Sequence, residues 1–121
     1  MSLLMVFILS CGGKKEAAQD KDSIKIGVIG PLTGDIAQYG TSTIDGFKLR
    51  VKEINAAGGI KGKKIELVIA DSKGDPQEAI SIFKKMVSQD KVDFIVGEVA
   101  STASLAISDF AQKAKVPMLT P

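Results

Sequence analysis

Histidine is absent from the 121-residue chain, and cysteine occurs once, at Cys11. Without histidine, imidazole acid/base chemistry and Cys/His metal sites are excluded, and a single cysteine has no partner for an internal disulfide. Charge of one sign is also lacking: 16 Lys+Arg against 14 Asp+Glu leave a net charge of +2, which gives no reason to expect nucleic acid as a partner. The five phenylalanines and one tyrosine are scattered, and no segment repeats. The run from Leu3 to Leu9 falls far short of the roughly 20 residues needed to cross a bilayer. What remains is the composition of a globular protein, 45% hydrophobic and 25% charged, at a length that suits one compact domain.

The N-terminus reads either as a processing signal or as an apolar terminus whose cysteine has no role. A short apolar stretch followed by a small residue and cysteine, "ILSC", resembles a bacterial lipobox, in which Cys11 becomes the lipidated first residue of the mature chain. No Lys or Arg precedes the run, so the basic n-region is missing. "GGKKEAAQDKD", from Gly12 to Asp22, is small, polar and charged, and reads as a solvated tether. The organisation expected is a lipoprotein signal and tether over 1–22, then a folded domain over 23–121.

Within that domain apolar runs alternate with helical periodicity. "SIKIGVIG" predicts a buried strand over Ile24 to Ile29, ended by Gly30 and Pro31. From about Gln38 to Ala57 the spacing of Ile44, Phe47, Val51 and Ile54 predicts an amphipathic helix, stopped by Gly58 and Gly59. "IELVIA" is a second strand. In "DPQE", Asp75 stands at an N-cap position, Pro76 at the first helical position and Glu78 three residues after the cap. The helix that follows, to about Ser88, turns Ala79, Phe83, Met86 and Val87 inward. "VDFIVG" predicts a third strand, "STASLAISDFAQKAK" a third helix with Ala103, Ala106, Phe110, Ala111 and Ala114 as its inner face, and "VPMLTP" the start of a fourth strand. The order βαβαβαβ predicts an α/β fold, an open parallel sheet with helices on both faces. Ligand sites in such sheets lie beyond the carboxyl ends of the strands, which singles out the loops at 30–40, 71–75 and 97–104.

The glycines of "GVIGPLTGDIAQYG" invite a phosphate-binding reading, and their spacing refuses it. Gly27, Gly30, Gly34 and Gly40 do not make G-x-G-x-x-G, Pro31 removes an N–H from the turn, and no G-x-x-x-x-G-K-[ST] occurs anywhere. The loop ends at Tyr39, whose ring either covers an apolar ligand or packs at the start of the helix. In "GEVASTAS", Ser101 and Thr102 open a helix: they either offer hydroxyl and N–H groups to an anion such as a carboxylate, or serve as an ordinary N-cap. Asp71 and Asp75, without histidine nearby, suit a solvated structural role better than catalysis or metal binding.

"IKIGVIGPLTGDIAQYG", "NAAGGIKGKKIELVIADSKGDPQEAI" and "VDFIVGEVASTASLAISDFAQKAKVPMLTP" together resemble the first lobe of extracytoplasmic solute-binding proteins of the leucine/isoleucine/valine-binding type, over about residues 23 to 121. The resemblance implies a two-lobe periplasmic binding protein that closes on its ligand, of which this chain holds the first lobe alone. It implies a receptor that captures branched-chain or other small amino acids, or amides, for an ABC permease, outside the cytoplasmic membrane, anchored through Cys11. It further implies no catalysis and no cofactor. Tyr39 matches an aromatic over the ligand's side, Ser101 a serine that meets the α-carboxylate through hydroxyl and N–H, and Thr102 extends the same helix start. A ligand-sensing domain of the same fold is the alternative; a flavodoxin-like nucleotide or flavin enzyme would need a phosphate loop or catalytic base that is not seen.

Overall fold

A computed structural model describes residues 22–121; Cys11 and the expected signal and tether lie outside them, apart from Asp22. The elements follow the expected order: β1 (Ser23–Gly30), α1 (Ala37–Ala56), β2 (Lys64–Asp71), α2 (Pro76–Lys85), β3 (Phe94–Val96), α3 (Ser101–Ala114) and β4 (Met118–Leu119), with a π-turn over Met86–Asp90 between α2 and β3. All pairings are parallel and the strand order is β2-β1-β3-β4. Parallel strands need covered faces: α1 packs against β1 and β2, while α2 packs against α3 and β1.

The two best-signed boundaries form as read. Asp75 caps α2, its carboxylate accepting the Glu78 N–H at 2.8 Å with Pro76 at the helix start. The Asp75 N–H donates to the Ser72 carbonyl, so the turn before α2 supplies the other half of the cap from backbone. At the end of α1, Gly58 and Gly59 take φ of 106° and 82°, and the Gly59 N–H reaches back to the Ile54 carbonyl at 2.8 Å. This left-handed ending closes carbonyls that the helix leaves open.

The core joins Ile29 of β1 and Ile95 of β3 to Ala79, Phe83 and Met86 beneath them and to Ala103, Ile107 and Ala111 of α3. Two expectations change here. The α-helix expected to run to about Ser88 ends at Lys85 and passes into the π-turn, which leaves Met86 buried and Val87 only partly so. The inner stripe of α3 runs through Ile107, fully buried, with Ala106 and Phe110 beside it, and Ala114 is exposed. Ala103, Ile107 and Ala111 stand four residues apart, so one straight line of small, large, small side chains faces α2.

Beyond β4 the sheet has no further strand among the described residues. An open groove of about 640 Å³ runs there between α3 and β4, with Leu105 73% and Leu119 56% exposed. No helix of the described residues is long and apolar enough to cross a membrane.

Candidate functional site

Strand order 2-1-3-4 places the reversal of strand order between β1 and β3. From β1 the chain leaves to α1 on one face; from β3 it leaves to α3 on the other, and a crevice opens where the two paths part. Gly27 pairs with Ile95 and Val28 with Val96, so the loops after β1 and β3 leave the same rim from adjacent strands. Tyr39 is the third residue of α1 and is 69% exposed. Ser101 and Thr102 are the first two residues of α3 and are exposed.

The N-cap alternative for Ser101 or Thr102 is not realised. Ala100 occupies the cap position with no side-chain hydrogen bond, and Ser104 N–H is the first to close a helical turn, onto the Ala100 carbonyl at 2.9 Å. The Ser101 and Thr102 N–H groups therefore lie in the first turn, where a helix offers no acceptor of its own. The start of α3 presents the positive end of its dipole, two hydroxyls and unspent N–H groups at the crevice.

Neither loop is held loosely. The first turn of α1 presses on the preceding loop: a Cβ on Gly40 would stand 1.9 Å from the Pro31 carbonyl oxygen. That close approach, and not a phosphate, is what Gly40 serves. Asp71 at the end of β2 then fixes the loop after β1, accepting from Leu32 N–H at 2.7 Å, from the Thr33 hydroxyl at 2.6 Å and from Lys73 N–H at 2.8 Å. Burial alone would raise the Asp71 pKa; the Thr33 hydroxyl and the backbone N–H groups outweigh it and bring the pKa to about 2, from 3.8. A lowered folded pKa contributes stability above the unfolded value and loses it as protons bind on the way down. Asp71→Asn should therefore cost about 0.5–1.5 kcal/mol at neutral pH. It should also flatten the decline in melting temperature expected of the wild-type chain between about pH 4 and pH 2, followed by calorimetry across that range.

The start of α3 is fixed by a residue the sequence reading passed over. Glu98 is 1% exposed, yet its carboxylate is satisfied: one oxygen accepts the Ser72 hydroxyl and the other the Ala100 N–H at 3.2 Å. Its carbonyl accepts the Ser104 hydroxyl, and Ser72 Oγ also accepts the Gly74 N–H at 3.2 Å. One buried side chain thus joins the loop after β2 to the entrance of α3, which sets where Ser101 and Thr102 stand. The available sequence signal was a glutamate in an otherwise apolar stretch, "FIVGEVA", with no neighbouring cation to pair it.

Among the described residues no group of three or more His, Cys, Asp or Glu side chains could hold a metal ion. The α3–β4 groove runs along the open edge of the sheet, lined by Ser104, Leu105, Ser108 and Met118 and by neither Tyr39 nor Ser101.

The family model described as periplasmic binding protein matches residues 23–121. A leucine-, isoleucine-, valine-, threonine- and alanine-binding protein of Pseudomonas aeruginosa is 40% identical over 100 residues, 83% of this chain and 26% of that protein. Among solved structures, the branched-chain amino acid transporter substrate binding protein LivJ from Streptococcus pneumoniae, in complex with isoleucine, superposes with a TM-score of 0.79 at 45% identity, covering 82% of this chain and 28% of that one. A solute binding protein of an ABC transporter from Rhodopseudomonas palustris, in complex with 3,4-dihydroxy benzoic acid, gives a TM-score of 0.77 at 32% identity, covering 83% and 27%. The chain spans about a quarter of the length of these relatives.

Proposed function

The chain belongs to the periplasmic binding protein family, and from that premise we propose that residues 23–121 form the carboxylate-reading wall of a solute receptor. The receptor serves an ABC importer outside the cytoplasmic membrane, and its solutes are branched-chain or other small amino acids. Ser101 meets the ligand carboxylate with its hydroxyl and N–H, Thr102 extends the same helix start, and the Tyr39 ring lies along the apolar side of the ligand. The role is capture and presentation, with no bond made or broken.

One observation carries the reading: the start of α3 is exposed at the crevice with neither Ser101 nor Thr102 used as a cap. The dipole adds about 0.3–1 kcal/mol in favour of an anion there. The two solutes named with the structural relatives, isoleucine and 3,4-dihydroxy benzoic acid, differ in shape and both carry a carboxylate. That is what a wall reading the carboxylate, and leaving the rest of the ligand to other contacts, would accept.

A site open on one side cannot bury most of a ligand, so this chain alone should bind amino acids more weakly than micromolar. The reading is tested by amide spectra of the chain with millimolar leucine, isoleucine or valine. Shifts are expected at the first turns of α1 and α3, and valinamide, which lacks the carboxylate, should leave α3 unmoved. Equal shifts with valine and valinamide, or shifts only in the α3–β4 groove, would sink the carboxylate assignment. Lipid attachment at Cys11 and a permease as partner complete the proposal, from the lipobox resemblance and the family.

A further inference from the structure

Glu98 sets a buried negative charge at the same helix start that the ligand carboxylate is proposed to meet. It is 1% exposed, and both of its carboxylate oxygens act as acceptors: one takes the Ser72 hydroxyl, the other the Ala100 N–H at 3.2 Å. Ser72 Oγ itself accepts the Gly74 N–H at 3.2 Å, which leaves its hydroxyl proton for Glu98. No proton is asked of the carboxyl group, so the pattern is that of the ionised side chain, held by a neutral hydroxyl and a neutral amide. The Ala100 N–H that it takes lies one peptide unit before that of Ser101.

The surroundings do not cancel this charge. Among the described residues, the loops and first helical turns on the crevice rim carry Asp35, Asp71, Asp75, Glu78 and Glu98 against Lys73. Asp71 and Asp75 accept from backbone N–H groups and the Thr33 hydroxyl, all neutral donors, and Lys73 is exposed. The starts of α1, α2 and α3 return roughly half a positive charge each, which leaves the rim negative. Asp35, Asp75 and Glu78 are exposed and screened by salt, whereas water and ions do not reach Glu98. A carboxylate on Ser101 therefore stands near a like charge that salt does not screen. Like charges about 10 Å apart, at the effective dielectric of a protein surface, cost roughly tenfold in affinity. A ligand with a positive group beside its carboxylate brings the compensation with it.

We infer that Glu98 is a specificity-determining residue: through its charge it selects zwitterionic amino acids and disfavours carboxylic acids of the same shape that lack the ammonium group. It acts through the field at the start of α3 and without touching the ligand. Its hydrogen bonds alone do not require the charge, since a glutamine has a similar shape and keeps an acceptor oxygen. The inference rests on the reading of Ser101 as a carboxylate contact and extends it to the net charge of the solute.

The test is titration of the full chain with valine and with isovalerate, which is valine without its ammonium group, each followed by amide shifts at the first turn of α3. Valine should bind about fivefold or more tightly than isovalerate. The ratio should persist at about 1 M salt, where exposed charges are screened beyond roughly 3 Å. In Glu98→Gln the ratio should fall to within about twofold of one, whatever the change in either affinity. A merely structural role would not give this result, because a displaced α3 weakens both ligands alike. Asp35→Asn, at an exposed turn of the same rim, should keep the wild-type ratio. An unchanged ratio in Glu98→Gln would overturn the inference. So would a wild-type ratio near one, or one that vanishes at high salt, and neither of these depends on a variant that folds. Those outcomes leave the α3 shifts in place. No α3 shift with either ligand, or equal shifts with valine and valinamide, would sink the carboxylate reading and this inference with it.

Discussion

Gly97→Ala is expected to abolish cooperative folding of the chain. Gly97 ends β3 with φ of 111°, and a Cβ there would stand 1.9 Å from the Ile29 carbonyl oxygen and 3.3 Å from the Ile29 nitrogen. Both obstacles are backbone of the adjacent strand β1, so no side-chain rotamer relieves them. The left-handed conformation adds about 1–2 kcal/mol for any L side chain. Against a total stability on the order of 5–15 kcal/mol, parting β1 from β3 at the centre of the sheet leaves little. The same substitution at Gly46 is the control: it lies exposed within α1 with nothing within 4 Å of its missing Cβ. Gly46→Ala should stabilise by up to about 1 kcal/mol through helix propensity. In thermal melts by circular dichroism the first variant should show no sharp transition, and the second should melt a few degrees above wild type, about 4–8 °C per kcal/mol for a domain of this size. A cooperative melt for Gly97→Ala near the wild-type temperature would contradict the strand packing at the crevice.

The contrast between those glycines shows what was legible in the sequence. The spacing of "GVIGPLTGDIAQYG" was enough to set aside a phosphate cradle, because that motif depends on order along the chain. What Gly40 and Gly97 do depends on which backbone lies opposite, Pro31 in one case and Ile29 in the other, and single-chain spacing carries no such information. The element order, the Asp75 cap and the α1 ending were readable because caps and periodicity are local. The face of α3 was not: alanines at 103, 106, 111 and 114 fit several stripes, and only packing against α2 selects the one through Ile107. Likewise Tyr39, Ser101 and Thr102 could be placed on loops, while their shared rim follows from β1 pairing with β3. Glu98 escaped because its partners, the Ser72 hydroxyl and the Ala100 N–H, are brought to it by the fold.

The second large effect expected is on affinity, and it falls on Ser101. If its hydroxyl meets a desolvated carboxylate, Ser101→Ala removes a charge-assisted hydrogen bond of about 1.5–3 kcal/mol, a loss of roughly 10- to 150-fold in affinity. Tyr39→Ala should cost on the order of tenfold or more through lost apolar cover. Neither side chain is buried or used within the fold to cap its helix, so both variants should melt as wild type does, which separates ligand contact from structural support. Glu98→Ala should differ on this point, losing stability and affinity together, because it leaves the Ser72 hydroxyl and the Ala100 N–H without their buried acceptor.

The central claim is that this segment reads an amino-acid carboxylate as one wall of a two-walled cleft. Its most direct test is calorimetric titration of isoleucine into Streptococcus pneumoniae LivJ in which residues 23–121 of this chain replace the matching segment, to which it is 45% identical. The account predicts that the graft binds isoleucine, that Ser101→Ala within it weakens binding about 10-fold or more, and that the melting temperature of the graft is unchanged by that substitution. A folded graft that fails to bind, or that binds equally well with Ser101 and Tyr39 replaced by alanine, would contradict it.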